Sequence, residues 1–512
     1  MPLMKIQEIL KPVSRDQVRS LTRTELVDLL LGEQDIRAQA EAFARELEEE
    51  KYLIGEKYLR IKNRIFTPSS EKTPRKSRDP DSTKKPKDPQ DRTRLPSERY
   101  PEATILEQDI EIVPVPQCSC CGSQMTDSGM TENVEMLSVI PKQFLIKRQL
   151  YHKYNCRNCH GSIETSPTIP RIRSGSSYDD DFIIDVSMSK YLDLVPIERY
   201  CSIAKRQGFP GLPPHSLIEL THYLAAFLHE VYQMIKVEVL SAEVLYADET
   251  PHRMLEGDKT SGWYLWGFST ETASYFEIHD TRSGSVASDL LVNSKCMYLV
   301  SDIYSGYSKA VSVSNIQRQQ SSALPIQSVY CNAHARRKFK ELVGDFGTPF
   351  VEKYQEIYRI EKELKGLNSD DRLRERQKLV PMFEKMKEQA TELLSHVSNK
   401  SFEAQAAKYL IKNFEGLTRF LYNGTLPIDN NHQERQLRNP VIGRKTWYGT
   451  HSKRGSDTNA VLFSIVETCK LNAINPRTYL HQLVKDIHQK KKPYTPRQAA
   501  IDKIEAPLSS SN

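Results

Sequence analysis

The sequence predicts a multidomain α+β protein, and three observations carry that expectation. A chain of 512 residues exceeds what one hydrophobic core organises, given domains of roughly 100 to 200 residues. Five of its nine cysteines, Cys118, Cys120, Cys121, Cys156 and Cys159, crowd into one stretch, while Cys201, Cys296, Cys331 and Cys469 are scattered. At Ala242 the apolar pattern changes from a helical period to short β-forming runs, two of which end on aspartates.

Hydrophobic residues make up 38% of the chain, and no apolar run approaches the ~20 residues that span a bilayer, so no membrane association is expected. The opening MPLMKIQEIL has no apolar core with a small-residue cleavage site behind it, so a reducing, cytoplasmic setting is expected. In that setting clustered cysteines read as metal ligands before they read as disulfides. A net charge of +6 and a pI near 8.6 are compatible with a polyanionic partner.

Residues 1–66 read as an N-terminal helical, coiled-coil region. Leu29, Ile36 and Phe43 lie seven apart, and Ala40, Leu47, Ile54 and Ile61 form a second row offset by four. This is an a/d seam, flawed at Glu33 and Glu50, which two copies would bury; one amphipathic helix packed on its own chain is the alternative. Residues 67–105 turn to Pro, Ser, Thr, Asp, Lys and Arg, too polar to order themselves, and read as a basic, disordered linker. Residues 106–172 place Cys118-x-x-Cys121 and Cys156-x-x-Cys159 on either side of TENVEMLSVIPKQFLIKRQLYHKY, where β-formers alternate with polar residues. Two such knuckles joined by a hairpin predict a zinc ribbon, with Cys118, Cys121, Cys156 and Cys159 holding one structural Zn2+ in a tetrahedron. Cys120 is left as a spare thiol and His160 as an outside substitute ligand.

Residues 173–240 read as helices: DDDFIIDVSMSKYLDL, PIERYCSIAKRQG and, after the turn FPGLPP, HSLIELTHYLAAFLHEVYQMI. A helix, a Gly/Pro turn and a helix starting near Pro214 suit a DNA-binding helix-turn-helix unit, with plain packing helices as the alternative. Residues 241–345 open an α/β core. EVLYAD reads as a strand ending on Asp248 and stopped by Glu249, Thr250 and Pro251. SGWYLWGFST and ASYFEIHDTRS read as antiparallel strands, Ser285 to Leu291 as a short helix, and KCMYLVSD as a strand ending on Asp302. This order fits an α/β domain of the ribonuclease-H type, in which carboxylates at neighbouring strand ends converge. Residues 425–485 read as the last part of that core and residues 486–512 as a basic, disordered tail.

Two hard cations about 3.5 to 4 Å apart need several carboxylate oxygens if they are to stabilise the attacking and leaving oxygens of a phosphoryl displacement. A third acid is therefore needed. LPIDNNHQERQLRNPVIGRKTWYGT offers Asp429 and Asn430 as a helix cap, a helix from Asn431, and Glu434 in its first turns beside Arg435 and Arg438. The positive end of the helix dipole favours a carboxylate there. Patterning alone does not single out Glu434 among the chain's many glutamates. Glu249 and Asp429 are rival acids; in an extended strand Glu249 faces away from Asp248, and Asp429 is better used as a cap.

Taken together, YADETPHRML, LVSDIYSGY, CNAHARRKF and PIDNNHQERQLRNPVIGRKTWYGTHSKRGSDTNAVLFSIVETCKLNAINPRTYL resemble a transposase of the insertion-sequence sixty-six family, the TnpC type, over nearly the whole chain. The resemblance implies a DDE-superfamily enzyme whose ribonuclease-H-like core is interrupted by a helical insertion, matched by the Glu-, Lys-, Leu- and Arg-rich residues 346–424. It assigns Asp248, Asp302 and Glu434 as the catalytic acids that hold two Mg2+ or Mn2+. His334 is spaced to face the cleft, and Arg336 and Arg337 suit phosphate. Arg435 and Arg438, beside Glu434, are further DNA-contact candidates, and Arg444, Lys445, Trp447, Lys453 and Arg454 mix cations with an aromatic as DNA contacts do, with an ordinary basic surface as the alternative.

The expected function is metal-dependent cleavage of double-stranded DNA at the ends of a bacterial insertion sequence, and joining of those ends to target DNA. A homodimer or higher oligomer, nucleoid-associated when acting and aided by accessory proteins of the same element, would carry it out. The competing expectations are a catalytically inactive zinc-ribbon and coiled-coil DNA-binding regulator, and a nuclease that cleaves without joining.

Overall fold

The computed structural model of the chain describes residues 20–66, 95–101, 103–107, 117–126, 134–139, 142–155, 163–257, 262–342 and 345–505. They divide into two units, residues 68–150 and the remainder. In the larger unit, Thr22 starts helix α1 (Arg23–Phe66) with a reciprocal cap. Its hydroxyl accepts from the Glu25 N–H at 3.4 Å, and the Glu25 carboxylate accepts from the Thr22 N–H at 2.7 Å. The helix spans the heptad region, and Ala40, Phe43, Leu47, Ile54 and Ile61 of the seam are exposed along it. The side chains of Leu29 and Ile36 lie outside the described residues.

In the smaller unit, residues 67–94 of the expected linker lie outside the described residues. The linker nevertheless ends sooner than its composition suggests. Pro96–Arg99 forms a helical turn, α2, in which Ser97 donates to Glu135 through its N–H at 2.8 Å and its hydroxyl at 2.9 Å. The hairpin expected between the cysteine pairs is not formed at 134–139 or 142–150, where the backbone is irregular. Val134, Met136, Val139, Leu145 and Ile146 are 71% to 90% exposed, and alternation makes a strand only where one face has something to pack on. A short antiparallel ladder, β1 (Lys153–Asn155) with β2 (Ile163–Thr165), belongs to the larger unit.

Four helices follow: α3 (Asp180–Tyr191), α4 (Ile197–Arg206), α5 (Pro214–Phe227) and α6 (His229–Leu240). Asp179 caps α3 by accepting from the Phe182 N–H at 2.9 Å. Gly208 and Gly211, at φ of 84° and 90°, make the turn before α5, a conformation glycine adopts without strain.

The core then unrolls as β3 (Val244–His252), β4 (Trp263–Ser269), β5 (Ser274–His279), α7 (Ser285–Val292), β6 (Tyr298–Ser301), α8 (Ser305–Gln320), β7 (Gln327–Tyr330) and α9 (Asn332–Lys340). Its five strands form one mixed sheet in the order β5-β4-β3-β6-β7. The first three strands are antiparallel, while β6 and β7 run parallel to β3. One expectation is corrected: β3 does not stop at Asp248 but continues to His252, because β4 keeps pairing with it as far as Trp263. Pro251 is tolerated because β6 pairs only as far as Tyr246, so the strand is an edge there.

Residues 348–422 are helical, as α10 (Thr348–Glu363), α11 (Ser369–Gln377), α12 (Val380–His396), α13 (Phe402–Lys412), α14 (Phe414–Thr418) and a 3-10 turn. Phe350, Tyr354, Phe383, Leu410, Phe420 and Leu426 share one core with Tyr246, Val300 and Val329 of the sheet. Arg376, 2% exposed, knits this region together. It pairs with Glu361 at 2.8 Å and donates to the carbonyls of Phe420, Asn423 and Leu426.

The last helices are α15 (Asn431–Trp447), α16 (Lys453–Leu471), α17 (Pro476–His488) and α18 (Pro496–Glu505). Helix α16 covers the free edge of β5: Ser464 Oγ accepts from the Phe276 N–H at 2.9 Å and Thr468 Oγ1 from the Ser274 N–H at 3.0 Å. The disordered tail expected from 486 is corrected over the described residues. Tyr494 donates to Asp486 at 3.0 Å, Lys491 pairs with the same carboxylate at 2.7 Å, Thr495 is fully buried against Glu238, and α18 follows. Nor do the helices of 173–240 stand apart from the C-terminal ones: Asp180 meets His488 at 2.7 Å and Asp185 meets Arg477 at 3.3 Å. Among the described residues no helix is long and apolar enough to cross a membrane.

Candidate active site

Parallel register aligns Tyr246 with Val300, so Asp248 and Asp302, each two residues further on, leave neighbouring strands side by side. Asp302 is held in a tight turn, its Oδ1 accepting from the Tyr304 N–H at 3.1 Å. The chain reaches the same end of the sheet again through β7, whose successor Cys331 donates its N–H to the Ser301 carbonyl at 3.1 Å, and α9 starts there.

Glu434 arrives from the far side of the helical region, and three of its neighbours dock it. Asn430 donates through Nδ2 to the Ala247 carbonyl at 2.9 Å, His432 Nε2 bonds the Thr270 carbonyl at 2.8 Å, and buried Gln433 accepts from the Ser269 hydroxyl. Gly267, opposite Asp248 on β4, leaves room for that contact: a Cβ there would meet Gln433 Nε2 at 2.2 Å. Asn332 ties α9 to the same segment, donating its N–H to the Ile428 carbonyl at 3.2 Å and its side chain to the carbonyls of Leu417 and Ile428 at 2.8 and 3.0 Å. His334 Nδ1 consequently stands 3.9 Å from Glu434 Oε1.

Burial pushes the Asp248 carboxyl well above the usual carboxylate range, and the negative charges of Glu249, Asp302 and Glu434 push it further. Among the described residues, neither Asp248 nor Asp302 has a lysine or arginine at ion-pair distance. Half-buried carboxylates short of cations are the oxygen donors that hard divalent ions take, so Asp248, Asp302 and Glu434 fit such ions.

Both rival acids are engaged elsewhere. Glu249, its side chain 2% exposed, pairs with Arg282 at 2.6 Å and accepts from the Tyr307 hydroxyl at 2.6 Å. Asp429 accepts from the Asn431 N–H at 3.0 Å and its Nδ2 at 2.6 Å. The expected joint cap is corrected in one part: Asn430 occupies the cap position of α15 but makes no side-chain cap bond, since its amide is spent on Ala247.

Of the basic residues, Arg435, Arg438 and Lys445 are exposed on α15. Arg336 and Arg337 are half-buried on α9, with the Arg336 guanidinium 6.0 Å from the Tyr358 ring. Arg444 donates to the Pro251 carbonyl and lines a cleft of about 390 Å3 with His252, Arg253, Trp263 and Tyr264. Trp447 is half-buried, edge-on to Tyr191 at 6.3 Å and 5.3 Å from the Lys190 ammonium. In the smaller unit, Cys118 and Cys121 lie on one tight turn closed by Gly122 N–H to Cys118 carbonyl at 2.9 Å. The N–H groups of Cys120 and Cys121 lower the Cys118 thiol's pKa, as suits a thiolate ligand. Cys156 and Cys159 lie outside the described residues.

Patterning missed Cys331, Asn430 and Gln433. The signal for Cys331 was present, because Cys331 and His334 are three apart across a helix start and so share a face. Asn430 was read only as a cap residue and nothing marked Gln433; the partners of both are on distant strands.

Fold and site together define a mixed α/β protein in which Asp248 lies within electrostatic reach of Asp302 and Glu434. The chain belongs to the IS66 transposase family: residues 175–458, which include all three acids, match the model "Transposase IS66 family". Residues 116–160, which include both cysteine pairs, match "zinc-finger binding domain of transposase IS66". Similar proteins of Sinorhizobium fredii (strain NBRC 101917 / NGR234) include uncharacterized protein y4hP, 28% identical over 76% of this chain and 74% of its own length. Uncharacterized protein y4jD is 26% identical over 72% of this chain and 74% of its own.

Proposed function

We propose that the chain is a DDE transposase that cuts double-stranded DNA at the ends of an insertion sequence and joins the resulting 3′-hydroxyls to target DNA. What supports this reading is that Asp248 and Asp302 follow a paired position on neighbouring parallel strands, and that the helix bearing Glu434 docks on the same strand closely enough for the Glu434 charge to act on Asp248. The order β5-β4-β3-β6-β7, three strands antiparallel and two parallel, supports a ribonuclease-H-like core.

The three acids would hold two Mg2+ or Mn2+, which when bound supply charge neutralisation at the phosphodiester and a more acidic water. Water attacks phosphorus and the 3′-oxygen leaves as a hydroxyl; in the second step that hydroxyl attacks a target phosphodiester, displacing the target's own 3′-oxygen. The protein's work is to position these groups. Asn430, His432 and Gln433 hold Glu434 in place, and Arg336, Arg337, Arg435, Arg438 and Lys445 bind phosphates. Arg444 and Trp447 contribute to that surface from its edge. Cys118, Cys121, Cys156 and Cys159 hold one structural Zn2+, and the α1 seam pairs two copies so that both element ends are held. The enzyme works in the bacterial cytoplasm, at the nucleoid, with accessory proteins of its element.

Incubating the protein with labelled end DNA, target DNA and Mg2+ tests this. Joined products are expected; cleavage alone would make it a nuclease, and retardation without cleavage a DNA-binding regulator.

A further inference from the structure

Cys331 has no part in the acid triad, yet it lies beside it. Its side chain is fully buried, and Asn430 donates its N–H to the sulfur at 3.3 Å. The sulfur, a ring nitrogen of His334 and a carboxylate oxygen of Glu434 lie within 4.8 Å of one another. His334 Nδ1 is buried and has no hydrogen-bond partner, although buried polar atoms nearly always have one. All three positions are fixed by structure made for other reasons: Cys331 and His334 by the start of α9, Glu434 by the docking of α15, and the two helices by Asn332 and Asn430.

Bonds of about 2.0 to 2.3 Å to one ion put tetrahedral ligands about 3.3 to 3.8 Å apart, so from within 4.8 Å the set closes by at most about 1.5 Å as the side chains turn onto the ion. Its donors differ in kind from those of the triad. Sulfur and imidazole select Zn2+ or Co2+ over Mg2+, which prefers oxygen throughout. We propose that Cys331, His334 and Glu434 form a second transition-metal site of the Zn2+ class, distinct from the zinc ribbon and sharing Glu434 with the catalytic acids. A Zn2+ ion there draws Glu434 away from Asp248 and Asp302, so the site competes with Mg2+ for the third acid.

Co2+ reports on such a site without any DNA reaction. The full chain carrying Cys118→Ser, Cys120→Ser, Cys121→Ser, Cys156→Ser and Cys159→Ser, which removes every thiol of the ribbon, is titrated with Co2+ and its absorption recorded. A sulfur-to-cobalt charge-transfer band with four-coordinate ligand-field bands is expected. The charge-transfer band should vanish on adding Cys331→Ala, and His334→Gln, at a half-buried position, should weaken Co2+ binding at least tenfold with the circular dichroism unchanged. No charge-transfer band, or one that survives Cys331→Ala, overturns the proposal. Because oxygen-only coordination at the triad gives no such band, failure here is distinguishable from failure of the catalytic reading, which strand cleavage tests.

Discussion

Asp248 shows how one residue can serve function against stability. Its carboxyl is held above its ordinary pKa by burial and then by its acidic neighbours, so ionising it costs the fold stability. An acid with a raised folded-state pKa leaves stability intact below its unfolded pKa and withdraws it as pH rises towards the folded value. In Mg2+-free buffer, Asp248→Asn should therefore melt at least about 1 °C above the parent at pH 8, with the difference shrinking towards pH 4. Thermal melts across that range check the sign. The same substitution should abolish strand cleavage. At this scale Asp248 and Asp302 were legible because apolar runs ended on them, whereas Glu434 looked like any surface glutamate until its family strings were considered.

Elements, more than side chains, decide whether Glu434 reaches the site. Gly267 is the point where β4 admits α15, and a Cβ there collides with Gln433 and presses on the Phe276 ring at 3.0 Å. Gly267→Ala should lower cleavage at least about tenfold by displacing Glu434, with a much smaller effect on DNA retention. Arg376 acts further back, and Arg376→Ala would leave Glu361 without its buried partner and three carbonyls without their donor. A loss of about 3–5 kcal/mol is expected in urea denaturation. Strands β3 to β6, the short α7 and the start of α15 were readable from periodicity and caps, whereas β7 was not read. What escaped was tertiary: β3 outruns its apolar segment because β4 supports it, and the lysine-rich C-terminal stretch orders because Tyr494 bonds Asp486 and Thr495 is buried.

Across the whole molecule, α1 exposes Phe43, Leu47, Ile54 and Ile61, the positions proposed to pair two copies. Deleting residues 1–66 should convert a dimer or larger assembly to a monomer in sedimentation velocity, while cleavage of a single end survives better than joined products from two. The change of composition after residue 66 was legible because Pro, Ser, Thr, Asp, Lys and Arg replace the helical pattern there. The merging of the helices of 173–240 with α16 and α17 was not, since it depends on contacts nearly 300 residues apart, such as Arg477 with Asp185.

The central claim is that three carboxylates, separated by a long helical region, act as one centre. Asp248→Asn, Asp302→Asn and Glu434→Gln should each reduce Mg2+-dependent cleavage of end DNA below detection while end binding is retained. Cleavage at the parent rate by any one of these variants would contradict it.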